Sequence, residues 1–287
     1  MVSTAENRPE LRALVEWAPI IVGLLALYLP SFMGLAAGAW HEDEYAHGPI
    51  ILVVILWLLW DRRSVLIQPA RNVSLILGAG ILILGLLFYI VGRSQGVSVM
   101  EVGSLALVLA GMLLCMRGRS ATQTYWFMLL FVVYLVPLPG VFVDAITGPL
   151  KRYVSIAAEQ LLYGAGYPVA RNGVVLTVGQ YQLMVADACS GINSMFSLSA
   201  IGLLYLYLMQ YQSKLHNAVV VLSLFPIAYC ANVVRVVTLV LVTFHFGDEI
   251  AQGFVHKFSG MVLFVVSLGL VLLLDFVLVR LTRLKKA

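Results

Sequence analysis

A thiol, a guanidinium and an imidazole together can carry out acyl transfer. The thiolate attacks a carbonyl, a cationic group stabilises the oxyanion, and the imidazole protonates the leaving amine. This chain offers one of each at or within long apolar runs. Cys189 heads such a run in Asp187-Ala188-Cys189-Ser190-Gly191, with Asn193 and Ser197 following at i+4 and i+8 as a polar stripe. A helix N-terminus lowers a thiol's pKa, and nearby cations lower it further. Arg235 is the one charge inside another run, with Asn232 at i−3 on the same helical face. His256 opens the last run, with Ser259 and Gly260 on its side, and His47 stands at the mouth of an early one in Tyr45-Ala46-His47-Gly48. Each residue alone also has a plainer reading. A lone cysteine is more often an inert small hydrophobe, an interfacial histidine a solvated polar group, and an arginine in an apolar run a side chain that snorkels to the interface or pairs structurally. Cys115 and Cys230 lack the setting of Cys189 and read as structural; His41 and His245 are looser, and His216 falls on the cytoplasmic side.

The elements that must position these groups follow from composition. Hydrophobic residues make up 61% of the 287 and charged residues 11%, with a mean hydropathy of +0.97. Soluble domains have about 45–50% apolar and about 25% charged residues. A soluble globule, a disordered chain and a coiled coil are therefore excluded, and the chain is expected to be an all-α polytopic membrane protein forming a single domain over 1–287. Three cysteines without a CxxC pair exclude a disulfide scaffold or thiol-rich metal cluster. The net charge of +4 comes from short basic clusters between apolar runs, a mark of membrane orientation rather than of nucleic-acid binding.

A spanning helix needs roughly 20 apolar residues. Trp17–Ala39, Val73–Gly92, Ser120–Val143 and Ala188–Ser213 are uncharged, Asn217–Phe244 is interrupted only by Arg235, and Phe258–Val279 carries only Asp275. Gly48–Trp60 is short, and Val102–Met116 needs the residues before Glu101 to reach full length. Counting both predicts about eight transmembrane helices. Ala37-Gly38-Ala39 resembles a signal-peptide cleavage site, but the apolar stretch is too long and Glu6 and Glu10 replace the expected basic region, so it reads as a retained first helix. With the N-terminus inside, the inner segments hold twelve Lys and Arg residues and the outer loops five. That is a positive-inside pattern with both termini cytoplasmic. It puts Cys189, Arg235 and His256, from three separate spans, in the outer half of the membrane.

The outer loop Gly140–Asp187 is longer than the rest. After Pro137, Pro139, Gly148 and Pro149, the residues Leu150, Tyr153, Val154, Ala157 and Leu161 repeat at helical spacing, with Lys151, Arg152 and Glu159 off that face. This predicts a helix lying in the membrane interface, against lipid. Val174–Val178 and Tyr181–Val185 flank Gly179-Gln180 and predict a β-hairpin.

Ala188-Cys189-Ser190-Gly191, then Asn232 with Arg235, then His256 before the last span, resemble the signature of the exosortase family, multispanning bacterial transpeptidases related to archaeosortases. Tyr45-Ala46-His47-Gly48 with Trp57-Leu58-Leu59-Trp60-Asp61-Arg62-Arg63 is similar to the family's early segment. Pro137-Leu138-Pro139 and the stretch Gly166-Tyr167-Pro168-Val169 to Gly173 resemble its central loop. Val233-Val234 departs from the small residue and glycine often found before the arginine, without touching a catalytic position. The resemblance implies Cys189 as nucleophile, with Arg235 and His256 as its catalytic partners, while Asn232, Asn193 and His47 are candidates for support or substrate binding. It implies an enzyme of the bacterial inner membrane with its site on the periplasmic side. Its substrates would be exported proteins ending in a Pro-Glu-Pro motif, a transmembrane helix and a basic tail, passed to an acyl acceptor that the sequence does not name. No metal, organic cofactor or nucleic acid is called for.

Three rival readings remain at this level. A binding or transport protein would use Arg235 in a solute path or partner-helix site, but such sites lie near the midplane rather than at one face. A thiol oxidoreductase needs a cysteine pair, which Cys189 lacks in the outer half. A metal site from Cys189, His47 and His256 lacks diagnostic spacing.

Overall fold

The computed structural model describes residues 9–42, 45–68, 72–137, 140–184, 191–247 and 256–282. These form two compact units, Met1–Pro139 and Gly140–Ala287.

In the first unit, α1 (Pro9–Ala37) is followed by a short 3-10 turn, Ala39–His41, and by α2 (Gly48–Asp61) and α3 (Ser64–Ile67). Then come α4 (Leu75–Gln95), α5 (Ser98–Met116), α6 (Arg119–Thr124), α7 (Trp126–Phe131) and a 3-10 turn, Val132–Leu135. The tightest pairing is the α4–α5 hairpin, turned at Gly96 with φ 66°. Gly78, Gly85 and Gly92 recur every seven residues along one stripe of α4. A Cβ on Gly85 would stand 2.9 Å from the Val108 amide nitrogen, and one on Gly92 would run into the Glu101 backbone. Close backbone approach through small residues is how helices associate where lipid removes the hydrophobic drive between them. Glu101, the charge that weakened the fourth predicted span, is buried because Arg93 pairs with it at 2.9 Å and Ser31 donates to it from α1.

The fifth predicted span differs from expectation. Ser120–Val143 is not one helix: the chain breaks at Tyr125, whose backbone leaves helical geometry at φ −92°, ψ 10°. The Tyr125 hydroxyl donates to the Arg62 carbonyl at 2.8 Å, beyond the end of α2. Absence of charge was a poor guide here, because α6 reads Arg-Ser-Ala-Thr-Gln-Thr and leaves only Trp126–Leu135 strongly apolar. Among the described residues, four helices are long and apolar enough to cross a membrane: Glu16–His41, Leu75–Gln95, Ser98–Met116 and Lys214–Phe246. Gly48–Asp61, Trp126–Leu135 and Phe196–Met209 are shorter apolar helices.

The second unit opens with α8 (Gly140–Gly164) and a sheet of β1 (Val169–Asn172), β2 (Val175–Val178) and β3 (Tyr181–Met184). The strands are antiparallel in the order β1-β2-β3, with Val169 opposite Val178 and Val178 opposite Tyr181. The predicted hairpin is present as β2–β3, with Val185 outside the described residues. The sheet also has a strand more than expected. Its signal is Gly173, which opens the two-residue turn Gly173-Val174 between Asn172 and its partner Val175 and supplies a φ of 64°. Leu176, Val178 and Leu183 pack on Val154, Ala158 and Leu162 of α8, and Arg171 of β1 pairs with Glu159 of α8 at 2.8 Å. The predicted apolar face of α8 is thus divided. Val154, Ala158 and Leu162, spaced four apart, face the core, whereas Tyr153 and Leu161 are exposed.

Three long helices complete the unit: α9 (Gly191–Met209), α10 (Lys214–Phe246) and α11 (His256–Thr282). All three pack against one another, and α10 also receives α8 and β3.

Candidate active site

Helix α10 carries a buried stripe of Ala228, Asn232, Arg235 and Leu239, at successive spacings of four, three and four. Such spacing keeps side chains on one helical face. Asn232 is 4% and Arg235 6% exposed, while Val234 on the other side is 53% exposed. Arg235 thus occupies an inward position where leucine would be ordinary. A side chain reaching out to lipid headgroups would show the opposite pattern, so this arginine faces the protein interior. Val233, Val236, Leu239 and Val240 around it join the core formed by α8 and the sheet, which holds this part of α10 in place. Cys230 is exposed and Cys115 partly buried.

Cys189 lies outside the described residues, two positions before α9 begins at Gly191. Asn193 falls in the first turn of α9 and His256 is the first residue of α11, and in both the side chain is outside the described set. His47 belongs to the first unit, at the start of α2. Gly48 beside it is required by close approach, because a Cβ there would run into the Trp40 indole. Burial holds the His47 imidazole below the ordinary histidine pKa, with a hydrogen bond to the Tyr134 backbone acting against that shift. The described residues therefore bring Asn232 and Arg235 together on one face and give no contact among Cys189, Arg235 and His256. A cleft of about 480 Å³ beside α8, lined by Gly148, Pro149, Arg152, Tyr153 and Ile156, holds none of the sequence-predicted site residues.

One polar cluster escaped the sequence reading. His216, expected on the cytoplasmic side and given no role there, is 4% exposed, and Asp275 is 3% exposed. The Asp275 carboxylate accepts from Tyr205 at 2.6 Å and from Tyr211 at 2.9 Å on Oδ2, and from His216 Nε2 at 2.7 Å on Oδ1. Ser213 caps α10 by accepting the His216 amide, which sets His216 in the first turn. The available signal was Asp275 itself, since a carboxylate inside an apolar run needs donors.

This cluster also gives the register of two helices. His216 near the start of α10 meets Asp275 near the end of α11, and Val220, Leu224 and Ala228 of α10 share a core with Val271 of α11. The pair is antiparallel. Arg235 lies nineteen residues after His216, and His256 nineteen residues before Asp275. At about 1.5 Å per residue both spacings equal about 28 Å.

No curated protein and no solved structure matches the chain. The model of the transmembrane exosortase family (Exosortase_EpsH) matches residues 39–273, a stretch that includes His47, Cys189, Asn193, Asn232, Arg235 and His256. With most of its length matched, and with several helices apolar enough to cross a bilayer, this multi-pass membrane protein belongs to the transmembrane exosortase family.

Proposed function

We propose that the protein is a membrane cysteine transpeptidase acting on exported proteins that end in a Pro-Glu-Pro-type motif, a transmembrane helix and a basic tail. The observation that carries this reading is the family match across residues 39–273. In the proposed reaction the Cys189 thiolate attacks the scissile carbonyl. A C–S bond forms, and the carbonyl electrons move onto an oxyanion that Arg235 stabilises. His256 gives a proton to the leaving amine as the C–N bond breaks, and the thioester is resolved by an acceptor amine or by water. Asn232 and Asn193 serve as supporting or substrate-binding groups beside this centre, and His47 as a further one by its position at the outer mouth of its span. The burial of Arg235 supports the reading, because a desolvated, permanently charged group acts more strongly on a developing oxyanion than a solvated one. The equal spacing along α10 and α11 supports it too: nineteen residues separate His216 from Arg235 and His256 from Asp275, which is the spacing that antiparallel helices joined at His216 and Asp275 need to set the two reacting groups at one depth. The protein would work in the bacterial inner membrane, with both termini in the cytoplasm and the reacting groups on the periplasmic side.

The test is co-expression with a reporter bearing the tripartite tail, followed by mass spectrometry of its new C-terminus. Wild type, Cys115→Ala and Cys230→Ala should process the reporter. Cys189→Ala should insert normally and leave the reporter intact. Normal cleavage by Cys189→Ala would sink the transpeptidase reading.

A further inference from the structure

Each of the three helices beside which the proposed reacting groups stand carries, at its other end, a member of one polar cluster, in which Tyr211, His216 and Asp275 are buried and Tyr205 is half-buried. Cys189 precedes α9, and Tyr205 lies toward the far end of α9 with Tyr211 just beyond it. Arg235 is on α10, and so is His216; His256 begins α11, and Asp275 lies near its end. We propose that Tyr205, Tyr211, His216 and Asp275 form a positioning clamp that sets the lengthwise register of α9, α10 and α11, and thereby levels Cys189, Arg235 and His256. The proposal rests on the acyl-transfer reading above.

Apolar seams alone do not fix such a register. Among these helices the contacts are mostly between aliphatic side chains, such as Leu206, Val220, Leu224 and Val271. Packing of this kind between helices in lipid gains little from the hydrophobic effect and tolerates a slip of one element past another. A slip of one turn is about 5.4 Å, whereas a misplacement of about 1 Å can cost roughly 100-fold in rate. A carboxylate with three donors is directional. Tyr205, Tyr211 and His216 reach both oxygens of Asp275 at 2.6–2.9 Å, and a one-turn slip of any helix would break at least one of those bonds to a buried carboxylate. Fixing register is also the best-attested use of buried polar groups, which seldom add net stability. Because the clamp and the proposed site are separated by nineteen residues on both α10 and α11, alignment at one end carries to the other along helices that run unbroken between them, α10 continuing through Pro226. None of the four clamp residues touches substrate on this view; they act through the helices.

The experiment uses the full-length protein in a Cys115→Ala/Cys230→Ala background, where Cys189 is the one remaining thiol. Three variants are added to it: Tyr205→Phe, Tyr211→Phe and Asp275→Asn. Two quantities are read: processing of the tripartite-tail reporter, and the pH dependence of Cys189 alkylation by a small maleimide. The variants should lower the rate at saturating reporter by roughly 10–100-fold and leave the half-saturating reporter concentration unchanged. The alkylation profile should move upward toward the ordinary cysteine range, because the thiol loses its alignment with the cationic groups. A clamp that only added stability would leave that profile where it was. If Asp275→Asn fails to accumulate, the two tyrosine variants decide, since each removes one hydroxyl and no volume. Folded variants with the parent's rate and alkylation profile would overturn the clamp while leaving the transpeptidase reading intact. So would variants that alter the half-saturating concentration alone. Normal processing by Cys189→Ala overturns the reaction itself and the clamp with it.

Discussion

A guanidinium inside a helical core cannot shed its charge, so Arg235 must be matched by what surrounds it or by what it acts on. Its 6% exposure makes lysine an informative replacement. Lysine keeps a charge but lacks the planar fork, and it can deprotonate when poorly solvated. Arg235→Lys should insert normally and lose at least about 100-fold in reporter processing, the scale on which loss of an oxyanion donor is felt. Near-normal turnover would return Arg235 to a structural role. His47 makes a different demand. Its folded pKa lies below the ordinary histidine value because burial disfavours the charged ring. The unfolded chain therefore takes up the proton first, and stability falls as pH drops through the ordinary histidine range toward the lowered folded value. Between about pH 7 and pH 5 the melting temperature in detergent should fall more for wild type than for His47→Gln. Equal slopes would show that His47 titrates alike in both states.

At the scale of elements, the α4–α5 hairpin depends on what is missing from its side chains. Gly85 lies where any Cβ would press on the Val108 backbone and side chain. Gly85→Val should destabilise the detergent-solubilised protein by about 1–3 kcal/mol, the usual cost of overpacking a close contact. Gly80→Val, on a face with open space, should leave the melting temperature nearly unchanged. Equal effects would mean that helix propensity rather than close packing governs the pair. α8 carries a related lesson. The periodicity marked it as a helix, but its apolar residues lie on more than one side, and counting them as one face put Tyr153 and Leu161 where Ala158 and Leu162 belong. Only the sheet and α10, packed on one side, distinguish the two stripes.

For the molecule as a whole, the membrane orientation carries every role proposed for the outer residues. Twelve basic residues in the segments read as inner, against five in the outer loops, predict that Cys189 faces the periplasm. In the Cys115→Ala/Cys230→Ala background, a membrane-impermeant maleimide added to spheroplasts should label the protein from outside. Labelling only after the inner face is exposed would reverse the topology and remove the proposed site from its substrates.

Composition and run length by themselves determined that this chain lives in a bilayer, because 61% hydrophobic residues cannot be covered by 11% charged ones in water. Short motifs in order pointed to the family, since Ala188-Cys189-Ser190-Gly191, Asn232 with Arg235, and His256 are local strings that need no fold to be read. The tertiary structure decided three other matters. Uncharged residues 120–143 break at Tyr125, because a hydroxyl bound to the end of α2 is a long-range fact. Glu101 is tolerated inside α5 because Arg93 and Ser31 come to it from two other helices. His216 and Asp275, fifty-nine positions apart, become one buried group only when α10 and α11 lie antiparallel. Local patterns record burial and helical phase, whereas the partner of a buried charge is set by which helices meet, and that information is not carried by any single stretch of chain.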